Sequence, residues 1–329
     1  MTAGHSYTLT LTSHDDNYSG DPTYTLYDDI AITTAAASDP VIAAAGDIAC
    51  ETGDPEYNGG NGDSMGCQEL STSNLMNGGM ITGSPLSAIL PLGDEQYETA
   101  TYGQFSQSYG PSWGRFASLS RPVPGNHEYE TSGASGYFDY FNGVGNANGP
   151  AGSRGQGYYS YDVGSWHMIS LNSNCAEIGG CGSGSPEETW LQSDLAAHAS
   201  VRCTLAYWHH PLFTSGAETG GAVTQQLFTD LYNANADVVL NGHEHQYERF
   251  APQNPSGGLD TARGIREFVV GTGGRSLEGF NSTITANSQV RNDTTFGVLR
   301  LTLHPGSYDW QFVPAAGGTF TDTGTGTCH

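Results

Sequence analysis

Residues 88–97 read AILPLGDEQY, and residues 41–47 read VIAAAGD. In both, a short apolar run stops on Gly-Asp. A run of this length bounded by glycine has the pattern of a fully buried strand, and Gly-Asp is turn chemistry. The same grammar recurs in RPVPGNHE (121–128), CTLAYWHHP (203–211) and ADVVLNGHEH (236–245). Between these runs, TYGQFSQSYGPSWGRF (101–116), PEETWLQSDLAAHA (186–199) and AVTQQLFTDLYNANA (222–236) read as helices. Buried strands alternating with helices predict an α/β layered core. Further on, GYYSYDVGSWHMISLN, IREFVVGTGG and TFGVLRLTLHPGSYDWQFV read as paired strands.

Ahead of this core, residues 5–33 alternate polar and apolar around SGDP, the period-2 pattern of a β-hairpin. The small residues that follow, up to Pro40, read as a linker. The expected organisation is an N-terminal β segment and linker over 1–39 and a main α/β domain over 40–329. The segment is either packed on that domain or the remnant of a β-sandwich module, because TLYDDIAI (25–32) resembles the last strand of carbohydrate-binding jelly rolls.

The chain has 329 residues and a formal charge of -24, yet only 13% of its residues are charged. That is about half the usual ~25%. The acidity comes from a shortage of bases, since the sequence contains arginine but no lysine. Without a basic patch, a nucleic-acid partner is not expected. Six cysteines stand at 50, 67, 175, 181, 203 and 328 with no CxxC pair, which favours disulfides and an extracellular, secreted setting. Pairing neighbours gives Cys50–Cys67 and Cys175–Cys181, leaving Cys203 to hold Cys328, although spacing alone does not determine connectivity. No apolar run approaches the ~20 residues of a membrane span, and no basic-then-apolar leader opens the sequence.

Asp47, Asp94, Asn126, His127, His209, His243 and His245 all fall just after these predicted strands. Taken singly, each has an ordinary explanation: a helix cap, an Asx-turn, or a partly buried histidine. Together they form a carboxylate, amide and imidazole set at strand ends, where open α/β sheets bind ligands.

The blocks G46-D47, G93-D94-E95-Q96-Y97, G125-N126-H127-E128, H209-H210-P211 and G242-H243-E244-H245 resemble, in that order, those of the calcineurin-like metallophosphoesterases. Within that group they resemble the purple acid phosphatases, through Tyr97 three residues after Asp94. GDIAC departs from the usual small residues after the first Asp. The resemblance runs from about Val41 to the C-terminus and implies a layered β-sandwich core flanked by helices. It also implies one metal on Asp47, Tyr97 and His245, a second on Asn126, His209 and His243, and Asp94 bridging both. Phenolate and carboxylate oxygens suit Fe(III) at the first site, and imidazoles with an amide suit Zn, Mn or Fe(II) at the second. Such a pair clamps the oxygens of an in-line displacement and makes hydroxide available near pH 7. His127, next to a ligand but not one itself, is expected to bind phosphate and protonate the leaving alkoxide, the alternative being that it only orients a neighbouring carboxylate. His210 and Arg275 stay outside this set.

The implied activity is hydrolysis of phosphate monoesters, with a small-molecule or lipid phosphate ester as partner. Cleavage of phosphodiesters such as phospholipid head groups is the alternative within the same chemistry. A surface- or carbohydrate-binding protein on a vestigial phosphatase fold is the alternative outside it.

Overall fold

The computed structural model describes residues 39–77, 85–218 and 221–329. The predicted hairpin at 5–33 lies outside them. Two sheets dominate. The first joins β1 (Val41–Ala45), β2 (Ala88–Pro91), β12 (Gly297–His304), β13 (Ser307–Pro314) and β14 (Thr323–Thr327) in the order β14-β13-β12-β1-β2. The second joins β5 (Tyr159–Val163), β6 (Trp166–Ser170), β7 (Cys203–Tyr207), β8 (Val238–Asn241), β9 (Tyr247–Phe250), β10 (Arg266–Val270) and β11 (Ser288–Asn292) in the order β11-β9-β10-β8-β7-β6-β5. A two-residue ladder, β3 (Asn148–Gly149) with β4 (Gly152–Ser153), stands apart from them. The helices are α1 (Glu69–Asn74), α2 (Tyr102–Gln104), α3 (Asn126–Glu130), α4 (Ser135–Asn142), α5 (Pro186–Ala197) and α6 (Gln225–Asn233). No helix among the described residues is long and apolar enough to cross a membrane.

Strand alternation sorts the second sheet into two faces. Met168, Leu205, Val238, Leu240 and Phe268 join the core that also contains Ile42, Leu90, Leu299 and Phe312 of the first sheet. The intervening Ile169, Ala206 and Val239 meet Leu191 of α5 and Leu227, Phe228 and Leu231 of α6. The result is the expected α/β layering, with a β-sandwich covered by helices on the second sheet. In β12, Leu299, Leu301 and Leu303 are buried while Arg300, Thr302 and His304 are more open, the pattern of a sheet with one wet face.

Strands β1 and β2 are parallel, as are β6, β7, β8 and β10, so their carboxyl ends meet on one side. RPVPG runs beside β2: Arg121 and Val123 donate their N–H groups to Ile89 O (2.8 Å) and Pro91 O (3.2 Å). Pro122 and Pro124, which lack N–H groups, occupy the alternate positions where none is needed. Asn126 consequently opens helix α3 instead of ending a strand.

The stretch 101–116 is not one helix. After α2 the chain takes a wider turn, with Gly110 N–H donating to Phe105 O at 2.7 Å, and a short tight helix follows at Trp113–Phe116. Pro111 accounts for the break, since it supplies no N–H and disfavours helical geometry in the residue before it. Three disulfides close as the neighbour pairing anticipated: Cys50–Cys67, Cys175–Cys181 and Cys203–Cys328.

Candidate metal centre

Asp47 follows β1, Asp94 follows β2, His209 follows β7 and His243 follows β8, while His245 precedes β9. These loops converge so tightly that side chains are excluded from the positions before Asp94 and His243. Gly93 has φ +85°, and a Cβ there would meet His209 Nδ1 at 2.5 Å. A Cβ on Gly242 would meet Asp47 Oδ2 at 2.8 Å. Gly93 and Gly242 are therefore required by the close approach of neighbouring loops, and Gly93 by its turn as well.

Tyr97 sits at the centre of one half of the cluster. Its hydroxyl oxygen lies 3.0 Å from Asp47 Oδ1, 3.1 Å from Asp94 Oδ2 and 3.0 Å from His245 Nε2. In the other half, His209 Nε2 lies 3.1 Å from Asn126 Oδ1 and 3.2 Å from Asp94 Oδ2. Asp94 Oδ2 is thus shared by both halves. The His243 ring lies 5.0 Å from that of His209, centroid to centroid, and its Nε2 is buried without a hydrogen-bond partner. The structure brings together all eight residues singled out from the sequence.

Groups around the cluster fix these orientations. Leu92 O holds His209 Nδ1 at 2.8 Å and Ser276 Oγ holds His245 Nδ1 at 2.8 Å, so each ring turns Nε2 inward. Backbone N–H groups do the same for the carboxylates: His243 donates to Asp47 Oδ2 and His127 to Asp94 Oδ1, both at 2.9 Å. His127 Nδ1 meets Glu98 O at 2.6 Å, which leaves its Nε2 directed away from that carbonyl, 3.9 Å from Asp94 Oδ2.

Protein charges alone leave the site short of cations. Burial, then Asp47 and Asp94, push the Tyr97 phenol well above its ordinary range. Burial disfavours charge on His209, but Asp94 outweighs it and raises this imidazole to about 9. Burial also opposes ionisation of Asp94, and His209 and His127 reverse that, holding its carboxyl well below the usual range. Burial, reinforced by His209, lowers His243 to about 3 and His210 to about 2. A crowded phenol and two carboxylates, together with a buried imidazole nitrogen that lacks a partner, fit bound cations.

Two glutamates in the motif blocks were given no role from sequence. Glu128 Oε2 accepts from Gly125 N–H (2.7 Å) and Asp94 N–H (2.9 Å), and its Oε1 accepts from Gln96 N–H (3.3 Å), so one buried carboxyl ties the second loop to the third. Burial, then Asp94, raise it to about 7. Glu95 is buried beside it, and burial followed by the Glu128 charge push its pKa up too. A Glu at the third position of a helix opened by glycine was the available signal for Glu128. Arg275 is held by Glu98 (2.8 Å) and Asp54 (3.4 Å), with its guanidinium carbon 5.4 Å from the centre of the Tyr97 ring.

Fold and donor set define a class: two packed sheets whose strand-end loops assemble one site of oxygen and nitrogen donors. The chain belongs to the calcineurin-like phosphoesterase family, whose profile matches residues 73–247. Among relatives, purple acid phosphatase 15 of Arabidopsis thaliana is 30% identical over 161 residues, covering 44% of this chain and 29% of its own length. An uncharacterized protein of Mycobacterium tuberculosis is 29% identical over 187 residues, covering 47% of this chain and 35% of its own. The chain therefore spans about a third of the length of these relatives. A purple acid phosphatase from yellow lupin seeds shares the fold at TM-score 0.63 and 20% identity, over 88% of this chain and 53% of that one. GAP50, the anchor in the inner membrane complex of Plasmodium, does so at TM-score 0.58 and 12% identity, over 87% and 88%.

Proposed function

We propose that this chain hydrolyses phosphate monoesters with two metal ions held in the cluster around Asp94. The observation that carries the reading is the sharing of Asp94 Oδ2 between Tyr97 (3.1 Å) and His209 (3.2 Å), with the unpartnered His243 Nε2 beside them. Asp47, Tyr97 and His245 would hold one ion, Asn126, His209 and His243 the other, and Asp94 both. The harder oxygen donors favour Fe(III) in the first set, and the imidazole-rich second set favours Zn, Mn or Fe(II). When bound, such a pair supplies charge neutralisation for the phosphoryl oxygens and an acidified water.

The remaining work falls to the protein's own groups. Leu92 O and Ser276 Oγ keep the two Nε2 lone pairs aimed inward, so little reorganisation accompanies binding. His127, anchored through Nδ1 to Glu98 O, presents Nε2 as the position from which a proton passes to the departing alkoxide. The three disulfides support a secreted protein, since such bonds persist in oxidising surroundings.

The test is metal analysis of the purified protein combined with rates on 4-nitrophenyl phosphate and bis(4-nitrophenyl) phosphate. Two ions per chain and faster monoester cleavage are expected. A faster diester reaction moves the assignment to phosphodiesters, and a metal-replete protein that cleaves neither overturns it.

A further inference from the structure

A pocket of about 400 Å³ opens directly beside Asn126, the residue whose Oδ1 faces His209. This is large enough for a small organic group. Its charged lining is acidic: Glu130 and Glu177 both border it, both are exposed, and no arginine does. The chain contains no lysine that could reach in. An anionic leaving group would meet two carboxylates there and no countercharge.

The rest of the lining narrows the choice. Tyr129 borders the pocket, and its hydroxyl oxygen accepts from Asn172 Nδ2 at 2.8 Å, which holds the aromatic side chain in place there. Burial pushes that phenol up to about 12 and the Glu177 charge adds to the shift, which places Glu177 within electrostatic reach of the ring. Part of the polar floor is engaged within the protein. Ser173 Oγ pairs with His210 Nδ1 at 2.7 Å, and Asn174 Nδ2 donates to Pro124 O at 3.0 Å. Val223, half exposed at 50%, and the Cys175–Cys181 disulfide complete an apolar rim. A quaternary ammonium brings no donors and is attracted by an aromatic face and by diffuse negative charge.

We infer that the leaving-group side of this site recognises a quaternary-ammonium alcohol, through Tyr129, Glu130 and Glu177. The inference rests on the phosphoesterase reading above for the position of the pocket relative to the scissile bond.

Phosphocholine and 3,3-dimethylbutyl phosphate, its uncharged carbon isostere, have closely similar shape and differ in charge at one atom. The metal-replete full chain should prefer phosphocholine by roughly tenfold in kcat/KM, the sum of one aromatic and two exposed carboxylate contributions. In the double variant E130Q/E177Q, and separately in Y129L, that ratio should fall towards one. Glycerophosphocholine forms a third arm: choline release from it at a comparable rate assigns the head group to a diester, and release from phosphocholine alone assigns it to the monoester. Calorimetric binding of free choline against 3,3-dimethylbutanol needs no turnover and separates the two readings. Choline binding that is weakened in E130Q/E177Q supports the pocket even if no ester is cleaved. Esters cleaved with no charge preference, or choline bound no better than its isostere, overturn it while leaving the phosphoesterase reading intact.

Discussion

The backbone N–H of His127 donates to Asp94 Oδ1 at 2.9 Å, so the residue read as the proton donor also aims the carboxylate read as the bridge. That bond fixes the carboxylate plane and leaves Oδ2 facing Tyr97 and His209.

Asp94→Asn tests the bridge. An asparagine oxygen still accepts the His127 N–H, so the fold should persist, but an amide nitrogen would then replace the shared oxygen. Metal content after gel filtration should drop below one ion per chain and turnover should be lost. Two ions retained at the wild-type level would remove Asp94 from the bridging position.

His127→Ala should keep both ions. Its rate on alkyl phosphates should fall by roughly 10²–10⁴, the range for a missing general acid, while aryl esters with good leaving groups fall much less. Equal losses on both substrate types would remove leaving-group protonation from His127, since the alanine variant keeps the backbone N–H that holds Asp94.

Tyr97→Phe removes a hydroxyl that touches Asp47, Asp94 and His245. A trivalent cation can hold this phenol deprotonated against the upward push of burial and the two carboxylates. Iron-loaded wild type should then show a visible phenolate-to-iron absorption band that the variant lacks, with most of the metal still bound. A colourless, iron-replete wild type would exclude Tyr97 as a ligand.

The three disulfides should differ in weight. They close 125, 17 and 6 residues for Cys203–Cys328, Cys50–Cys67 and Cys175–Cys181. The loop-entropy relation predicts contributions of roughly 5, 3 and 2 kcal/mol in that order. Paired Cys→Ser variants compared by chemical denaturation check the ranking, which fails if the 6-residue loop proves the most costly to open.

A pH dependence should arise far from the proposed metal ligands. His167, buried on β6, lies 2.7 Å from Asp194 of α5 and 3.1 Å from Asp162, and its ring stacks on His198 at 3.7 Å. Burial opposes its charge, but both aspartates outweigh it and its pKa is raised. A raised imidazole stabilises the fold fully below the unfolded value of ~6.5, and that contribution disappears as pH rises through the folded value. Asp194 is shifted down, mainly by His167 working against burial, so its share is lost only as pH falls below ~3.9. The melting-temperature gap between wild type and His167→Gln should therefore be widest near pH 5 and narrower at pH 8.5. A gap that is flat over this range would show that the imidazole stays neutral.

The strand runs VIAAAG and AILPLG, the helix PEETWLQSDLAAHA and the polar residue at the end of each run were legible because each is a local matter of hydrophobic period and turn chemistry. Pairing neighbouring cysteines matched the three disulfides, although spacing alone left the connectivity open. Other features arise only when distant segments meet. RPVPG looked like one more strand end, but the missing proline N–H groups confine it to one side of β2 and Asn126 begins a helix. Glu128 is an unremarkable acid in the sequence. Its role appears when the folded chain sets the N–H groups of Gly125, Asp94 and Gln96 around one buried carboxyl. Likewise Tyr129, Glu130 and Glu177 carry no common motif, because a pocket is defined by surfaces from separate loops and not by spacing along the chain. Sequence alone determined which polar residues stand at the strand ends. Tertiary structure decided their distances, the carboxyl that ties two loops, and the charge of the pocket beside them, because each depends on packing between residues far apart in the chain.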